Sequence, residues 1–599
     1  MKNGIQLLRQ FEESADTMPV QAGIKLLLDL AKRKIVDEAY VVKAIEPRRL
    51  RELLHPVIDG VSVKGLKHWN GGIAGSPGAA LGRVYFSTAS LLEAHSRALR
   101  NGEDGRFILA LPESFAGDVK AIEAACGVLT ARGGYAAHAS VVARQYGKVS
   151  LVAPDLKIRG KKAVLGDLSF SEGAYITMDV PFCGGSLEQV PLEQAPLEQA
   201  PLEQVLLKQV PSVYLGTARL IEPDFAASGL LEFIALTKRV IGTGRRFYIR
   251  ANADTPRDAA LALALGADGI GLCRTEHMFL KADRINIFRE MLLAVSADDR
   301  NRALKKLQVI QREDFYGILK VMAGKEVTIR LLDAPFHEFM PHSNDELSAY
   351  MAHLEKTGNG VTRAELLGRI AALEEFNPML GRRGCRIAVS YPEIYAMQVQ
   401  AVFEAVYKLR DEKIDVRLEI MVPMVMNAAE LKLIAYGKKI EGASYPGIAD
   451  VEEAVRRENR AKSGAYKIGA MIELPAAALA AGELAKYGSF FSFGTNDLTQ
   501  TTLGISRDDF TAFMPDYTRY DLIANPFSVL DGRVKELIAT AVERGRLTRP
   551  DLVCGLCGEH GANPENVRFC MEAGLDYLSC SPYSAPVALL AAAHVTLAQ

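Results

Sequence analysis

YKIGAMIELPAAALAAGELAKYGSFFSFGTND, residues 466–497, holds a complete folding unit. The apolar run YKIGAMIEL (466–474) ends near Glu473, the alanine- and leucine-rich stretch 475–489 follows, and a second apolar run, FFSFGTND (490–497), again closes on polar residues. Short runs that are apolar throughout suit strands buried on both faces, and a longer amphipathic stretch between two of them suits a crossover helix. The same rhythm extends in both directions. FYIRA (247–251), GIGLC (269–273), VTIRLLD (327–333) and LEIMVPM (418–424) precede the unit, and VCGLCGE (553–559) and YLSCSP (577–582) follow it. Eight such repeats predict an α/β fold with a (β/α)8 barrel over residues 216–599. A ninth apolar run, GCRIAV (384–389), is one too many for the barrel and is read as a loop or helix start, because arginines crowd it.

Upstream the pattern differs. Residues 1–65 carry helical spacing in GIKLLLDLAKRK and ELLHPVI and form a helical lead-in. A glycine-rich turn and β-prone run, GGIAGSPGAALGRVYF, opens a small α/β domain over 66–185. Five imperfect pentads from 187 to 211, LEQVP, LEQAP, LEQAP, LEQVL and LKQVP, have recurrent proline that interrupts helix, so 186–215 reads as a repeat linker without a catalytic role.

The 599 residues, 49% hydrophobic and 24% charged, fit an ordinary multidomain globular chain. A formal charge of −1 supplies no broad cationic field for nucleic acid or anionic lipid, so any anion must be bound by a local cluster. There is neither a long uncharged apolar run nor a secretion-signal pattern at the start, which predicts a cytoplasmic protein. Eight widely spread cysteines read as reduced thiols.

In a barrel the site lies where the strands end, so the polar residues there count as a set. They are Arg250, Asn252, Arg274, Glu276, Arg330, Asp333, Arg383, Arg386, Glu473, Asn496, Asp497, Cys557 and Glu559. Guanidinium groups from several strands suit a small polyanion, and Glu473 with Asp497 suits a magnesium ion that keeps waters. Taken singly, a strand-end arginine is more often a structural ion pair, and Asn496-Asp497 also suits a helix cap. Cys554 and Cys557 form a CxxC with no second pair, which weighs against zinc and redox roles. A second signal is ARGGYAAHASVVAR (131–144): His138 follows a Gly133-Gly134 turn at the start of a helix, where backbone N–H groups face an anion, with Arg144 further along. A histidine simply packed under a glycine loop is the plain alternative.

The run VLTARGGYAAHASVVAR resembles the phosphohistidine signature of the phosphoenolpyruvate-utilising enzymes. GIGLCRTEHMFL, VTIRLLDAPFHEF, NPMLGRRGCR, MIELPAAAL, FFSFGTNDLTQTT and CGLCGEHG look like the barrel motifs of the pyruvate, phosphate dikinases within that family. The resemblance implies that His138 carries phosphate and that Arg330, Arg383 and Arg507 clamp phosphoenolpyruvate, with Asn496, Thr495 and Gly494 beside them. It further implies that Glu473 and Asp497 bind Mg2+ and substrate, and that Cys557 moves a proton at C3 of the enolate. A homodimer is implied as well. Alternatives are a relay to a phosphoacceptor protein's histidine and a phosphoenolpyruvate sensor without turnover. Three departures stand out: Ala136 and Ala137 replace the threonine and serine usual before the histidine, Arg382 replaces a common histidine, and the family's ATP-grasp domain has no counterpart here, which leaves open a separate ATP-grasp subunit or a phosphoacceptor protein as partner.

Overall fold

A computed structural model describes residues 2–598 except 16–17, 102–103, 115–117, 134–138, 141–142, 144–146, 182–209, 243–246, 280–283, 334, 342–343, 358–360, 376, 442, 463, 507–509, 511–512, 514–515, 518–519, 521, 524 and 528. The chain divides into two compact units, one of residues 1–242, 506–525 and 589–599, the other of 243–505 and 526–588. Among the described residues no helix is long and apolar enough to cross a membrane.

The first unit holds helices and a mixed sheet. Helix Val20–Lys32 buries Val20, Ile24, Leu27 and Leu28 at helical spacing. The next helix, Glu38–Lys43, is capped by Asp37, whose side chain accepts the Tyr40 N–H at 2.7 Å. The eight-stranded sheet runs, in spatial order, His68–Asn70, Ser212–Leu215, Tyr175–Val180, Gly78–Tyr85, Phe107–Leu111, Gly127–Thr130, Val149–Val152 and Ile73–Ser76. Its four middle strands, from Gly78–Tyr85 to Val149–Val152, are parallel, and helices Thr88–Asn101 and Val119–Ala124 serve two of the crossovers.

This sheet corrects the linker reading. Ser212–Leu215 pairs antiparallel with Tyr175–Val180, Asp179 facing Ser212, so the end of the supposed linker 186–215 is a strand. Its β-prone run SVYL buries Val213 completely, and that burial places it in the sheet. The pentad repeat itself lies outside the described residues apart from Val210 and Pro211, and the chain leaves and re-enters one sheet on adjacent strands. Residues 216–242 belong to this unit also, so the barrel unit starts later than 216, while its first strand, Tyr248–Asn252, falls on the run FYIRA.

The second unit is a closed parallel barrel of Tyr248–Asn252, Ile270–Arg274, Glu326–Arg330, Arg417–Val422, Tyr466–Ile472, Phe490–Gly494, Val553–Cys557 and Tyr577–Cys580. The last strand closes on the first, Tyr577 facing Tyr248. These are the eight apolar runs of the sequence. GCRIAV forms helix Cys385–Ser390, in keeping with its reading as a helix start. Arg250 is a correction within the strand-end set: it lies inside the barrel, where its Nη1 donates to Glu419 Oε2 at 2.6 Å and its guanidinium stacks 4.0 Å from the Tyr577 ring centroid. A buried arginine held by a carboxylate and an aromatic face inside the barrel is structural.

Candidate active site

Each strand delivers its polar residue where the apolar run stops. Arg330 ends its strand and donates Nη1 to Asp333 Oδ2 at 3.1 Å and Nη2 to Glu276. Asp333 also accepts Arg383 in a two-bond fork, Nε to Oδ1 at 2.8 Å and Nη2 to Oδ2 at 2.7 Å. The same guanidinium reaches Asp497 Oδ1 through Nη1 at 3.2 Å. Arg330, Asp333, Arg383 and Asp497 therefore form one chain of alternating charge. Among the described residues Arg330 Nε and Glu276 Oε2 are buried without a hydrogen-bond partner, which leaves polar capacity at this spot.

Glu473 is 1% exposed, and its Oε1 accepts the Met424 N–H at 2.6 Å. Burial first, and then the neighbouring Asp333 and Asp497 carboxylates, push its pKa well up against the pull of Arg330 and Arg383. Added positive charge nearby would draw it back down. The fit to magnesium is good: two hard carboxylate oxygen donors, one of them short of countercharge, are what an ion that keeps its waters and takes substrate oxygens requires. Among the described residues no group of three His, Cys, Asp or Glu side chains gathers as a protein-only metal cage.

Gly494 ends its strand beside Glu473; a Cβ there would lie 2.8 Å from Glu473 Oε2, so the glycine makes room for the carboxylate. Thr495 and Asn496 begin the next helix, Thr495–Leu503. The Thr495 hydroxyl meets His560 Nδ1 at 2.8 Å, and His560 Nε2 donates to the Pro526 carbonyl at 2.8 Å.

Cys557 closes its strand with its thiol inside the barrel, 1% exposed. Ser492 Oγ donates to its Sγ at 3.2 Å. Burial pushes the thiol up to about 11, although the Ser492 hydrogen bond and the Arg330 and Arg274 cations pull it down. At neutral pH it is a protonated acid, packed against Leu272, Met421, Met471 and Phe490 with the Ser492 hydroxyl as its polar contact. Arg274 donates its backbone N–H to Asp254 Oδ1 at 2.6 Å, and its charge acts on both Asp254 and Cys557. Arg386 instead stitches its own loop, donating to the carbonyls of Leu380 and Gly381.

His138, Arg144, Arg507 and the Ala136-Ala137 pair lie outside the described residues. Arg330, Arg383, Glu473 and Asp497 are brought together, with Gly494 against Glu473. Sequence reasoning missed Ser492, Met424 and His560. Ser492 had one signal, a hydroxyl placed between phenylalanines in an otherwise apolar strand.

A model of the PEP-utilising enzyme PEP-binding domain matches residues 232–597, and one of the family's mobile domain matches 103–180. The chain belongs to the PEP-utilising enzymes. Among the relatives of this PEP-utilising enzyme, the pyruvate, phosphate dikinase of Treponema pallidum is 60% identical over 576 residues, covering 96% of this chain and 61% of its own length. Pyruvate, phosphate dikinase of Clostridium symbiosum is 40% identical over 582 residues, with 96% and 60% covered. Pyruvate, phosphate dikinase 1 of Arabidopsis thaliana is 41% identical, with 96% and 55% covered. The chain thus spans 55–61% of the length of these curated relatives.

At the edge of the site, His277 Nδ1 lies 2.7 Å from Asp254 Oδ2. Burial lowers the imidazole's pKa, but the Asp254 carboxylate outweighs it and the net direction is upward from 6.5. Asp254 moves the opposite way, below 3.8: burial raises it, and His277 and Arg274 more than offset that. A raised histidine contributes stability that is full below about pH 6.5 and fades as pH climbs through the folded value. The lowered aspartate contributes above about pH 3.8 and is lost as pH falls through its own folded value. NMR titration, with His277→Gln to assign the resonance, is expected to place this imidazole above 6.5. A midpoint at or below that value would count against the pair.

Proposed function

We propose that the chain performs the phosphoenolpyruvate-side half of a pyruvate, phosphate dikinase reaction, the magnesium-dependent transfer of a phosphoryl group between His138 and pyruvate. The observation that carries the reading is the meeting of the Arg330–Asp333–Arg383–Asp497 chain with Glu473 at one rim of the barrel. A dianionic phosphate and a carboxylate call for paired guanidinium forks, and an enolate calls for positive charge where its oxygen develops. Arg330, Arg383 and Arg507 bind the phosphoryl and carboxylate groups, assisted by Asn496, Thr495 and Gly494. Glu473 and Asp497 would hold magnesium, which when bound would supply positive charge to the site.

Transfer from phosphoenolpyruvate breaks the P–O bond and forms a P–N bond at a His138 ring nitrogen. The enolate left behind takes a proton at C3 from Cys557 Sγ and becomes pyruvate, and the thiolate is later reprotonated from solvent. In reverse the thiolate removes that proton. The nucleotide side of the reaction falls to an ATP-grasp element, on the same polypeptide or on a separate subunit. A cytoplasmic homodimer completes the proposal.

Labelled phosphoenolpyruvate with magnesium is expected to leave an acid-labile phosphate on the wild-type chain, and His138→Ala is expected to take up none. Undiminished labelling of that variant would refute the assignment. Onward passage of label to a small protein in cell extract would instead favour a relay.

A further inference from the structure

Four described residues other than glycine have left-handed backbone: Lys34, Lys413, Arg460 and Met424. Lys34, Lys413 and Arg460 each follow a helix, Val20–Lys32, Pro392–Asp411 and Ile448–Glu458, where a single left-handed residue commonly ends α-structure. Met424 has no such reason. It follows strand Arg417–Val422, has φ of 56° and is 1% exposed. That conformation is costly for an L-residue with a Cβ, and it persists only where the surroundings impose it.

The surroundings of Met424 are the candidate site. Its N–H donates to Glu473 Oε1 at 2.6 Å, and its carbonyl accepts the Cys385 thiol at 3.1 Å. Cys385 N–H also donates to the Pro423 carbonyl at 3.1 Å. Gly384, itself left-handed with φ of 56°, seats against the methionine so closely that a Cβ at 384 would lie 2.7 Å from Met424 Cβ. The neighbouring Arg383 binds Asp333 and Asp497. Moving φ of Met424 to the ordinary negative range would turn its N–H relative to its carbonyl, so the bonds to Glu473 and Cys385 could not both survive.

We propose that Met424 is a positioning residue whose left-handed backbone locks Glu473 in register with the arginine loop 381–386. The inference rests on the reading of Glu473 as a magnesium ligand. It assigns the work to main-chain geometry, so the side chain is replaceable by any that tolerates the conformation.

Leucine and isoleucine are isomers close to methionine in volume, but branching at Cβ makes the left-handed region far worse for isoleucine. Mn2+ binding to the full chain without substrate, read from the free-ion EPR signal, separates backbone from packing. Met424→Leu is expected to bind within about twofold of wild type, and Met424→Ile about 10-fold or more weakly, the scale of losing a partner that orients a metal ligand. Equal affinities in the two variants would overturn the proposal. Should Met424→Ile fail to fold, Cys385→Ala and Cys385→Ser give the same comparison. Loss of affinity in the alanine variant with retention in the serine variant supports the linkage, and equal affinity in both overturns it. A wild-type chain that binds no Mn2+ would remove the magnesium reading itself, and the inference with it.

Discussion

Cys557→Ala is expected to lose exchange of the C3 protons of pyruvate with solvent by about 10²–10⁴-fold, the usual contribution of a placed acid or base. The thiol is buried at the inner end of its strand with Ser492 Oγ 3.2 Å away. Because burial holds it up near 11, the thiolate that removes a proton from pyruvate is a small fraction at neutral pH. That fraction grows tenfold per pH unit below the pKa, so wild-type exchange should climb between pH 7 and 9 by about 100-fold if proton removal is rate-limiting. In the opposite direction the protonated thiol is already the dominant form. Phosphorylation of the chain by phosphoenolpyruvate should therefore persist in Cys557→Ala, more slowly, because the enolate can take its proton from water. Cys557→Ser keeps a side chain of similar shape with a far less acidic hydroxyl, so it should fail like alanine. Unimpaired proton exchange in either variant would remove Cys557 from the chemistry, and a collapse of the fold in both would point to packing.

The barrel could be read because its strands are buried on both faces, and continuous runs such as FFSFG and LEIMV are the direct record of that burial. The residues that end each run were equally visible, since a charged side chain after an apolar stretch must face either a partner or a ligand. Which of the two it faces was not visible. Arg250 looked like Arg330, yet its partner Glu419 lies 169 positions away in the chain, and only closure of the barrel brings them together. Strand Ser212–Leu215 was hidden for a similar reason: its pairing with Tyr175–Val180 spans the pentad repeat, and proline-rich sequence on one side suggested a linker. Met424 left no trace at all, because methionine has no preference for the left-handed region and its role lies in the backbone. The rim of the site was therefore legible as a collection of charges, whereas the connections among them required the fold.

Those connections make Arg383 the residue whose loss should cost most. It is 5% exposed and bridges two carboxylates, forking onto Asp333 at 2.7 and 2.8 Å and reaching Asp497 at 3.2 Å. Arg383→Met keeps the apolar bulk but leaves Asp333 with Arg330 alone and Asp497 without its arginine, beside an already burdened Glu473. Breaking a buried pair from one side costs about 3–5 kcal/mol, which should appear as a lower denaturation midpoint for the barrel unit. Affinity for phosphoenolpyruvate should fall by about 10- to 100-fold at least, since each charge-assisted hydrogen bond to an anion contributes about 1.5–3 kcal/mol. Mn2+ should still bind, because removing the cation leaves the carboxylates more negative. Arg383→Lys separates the two roles: a point charge can restore part of the stability, but it cannot fork onto Asp333 while reaching Asp497, so substrate affinity should stay low. If Arg383→Met binds phosphoenolpyruvate as wild type does, the arginine serves only to neutralise its two aspartates, and the phosphate must be held by other cations such as Arg274.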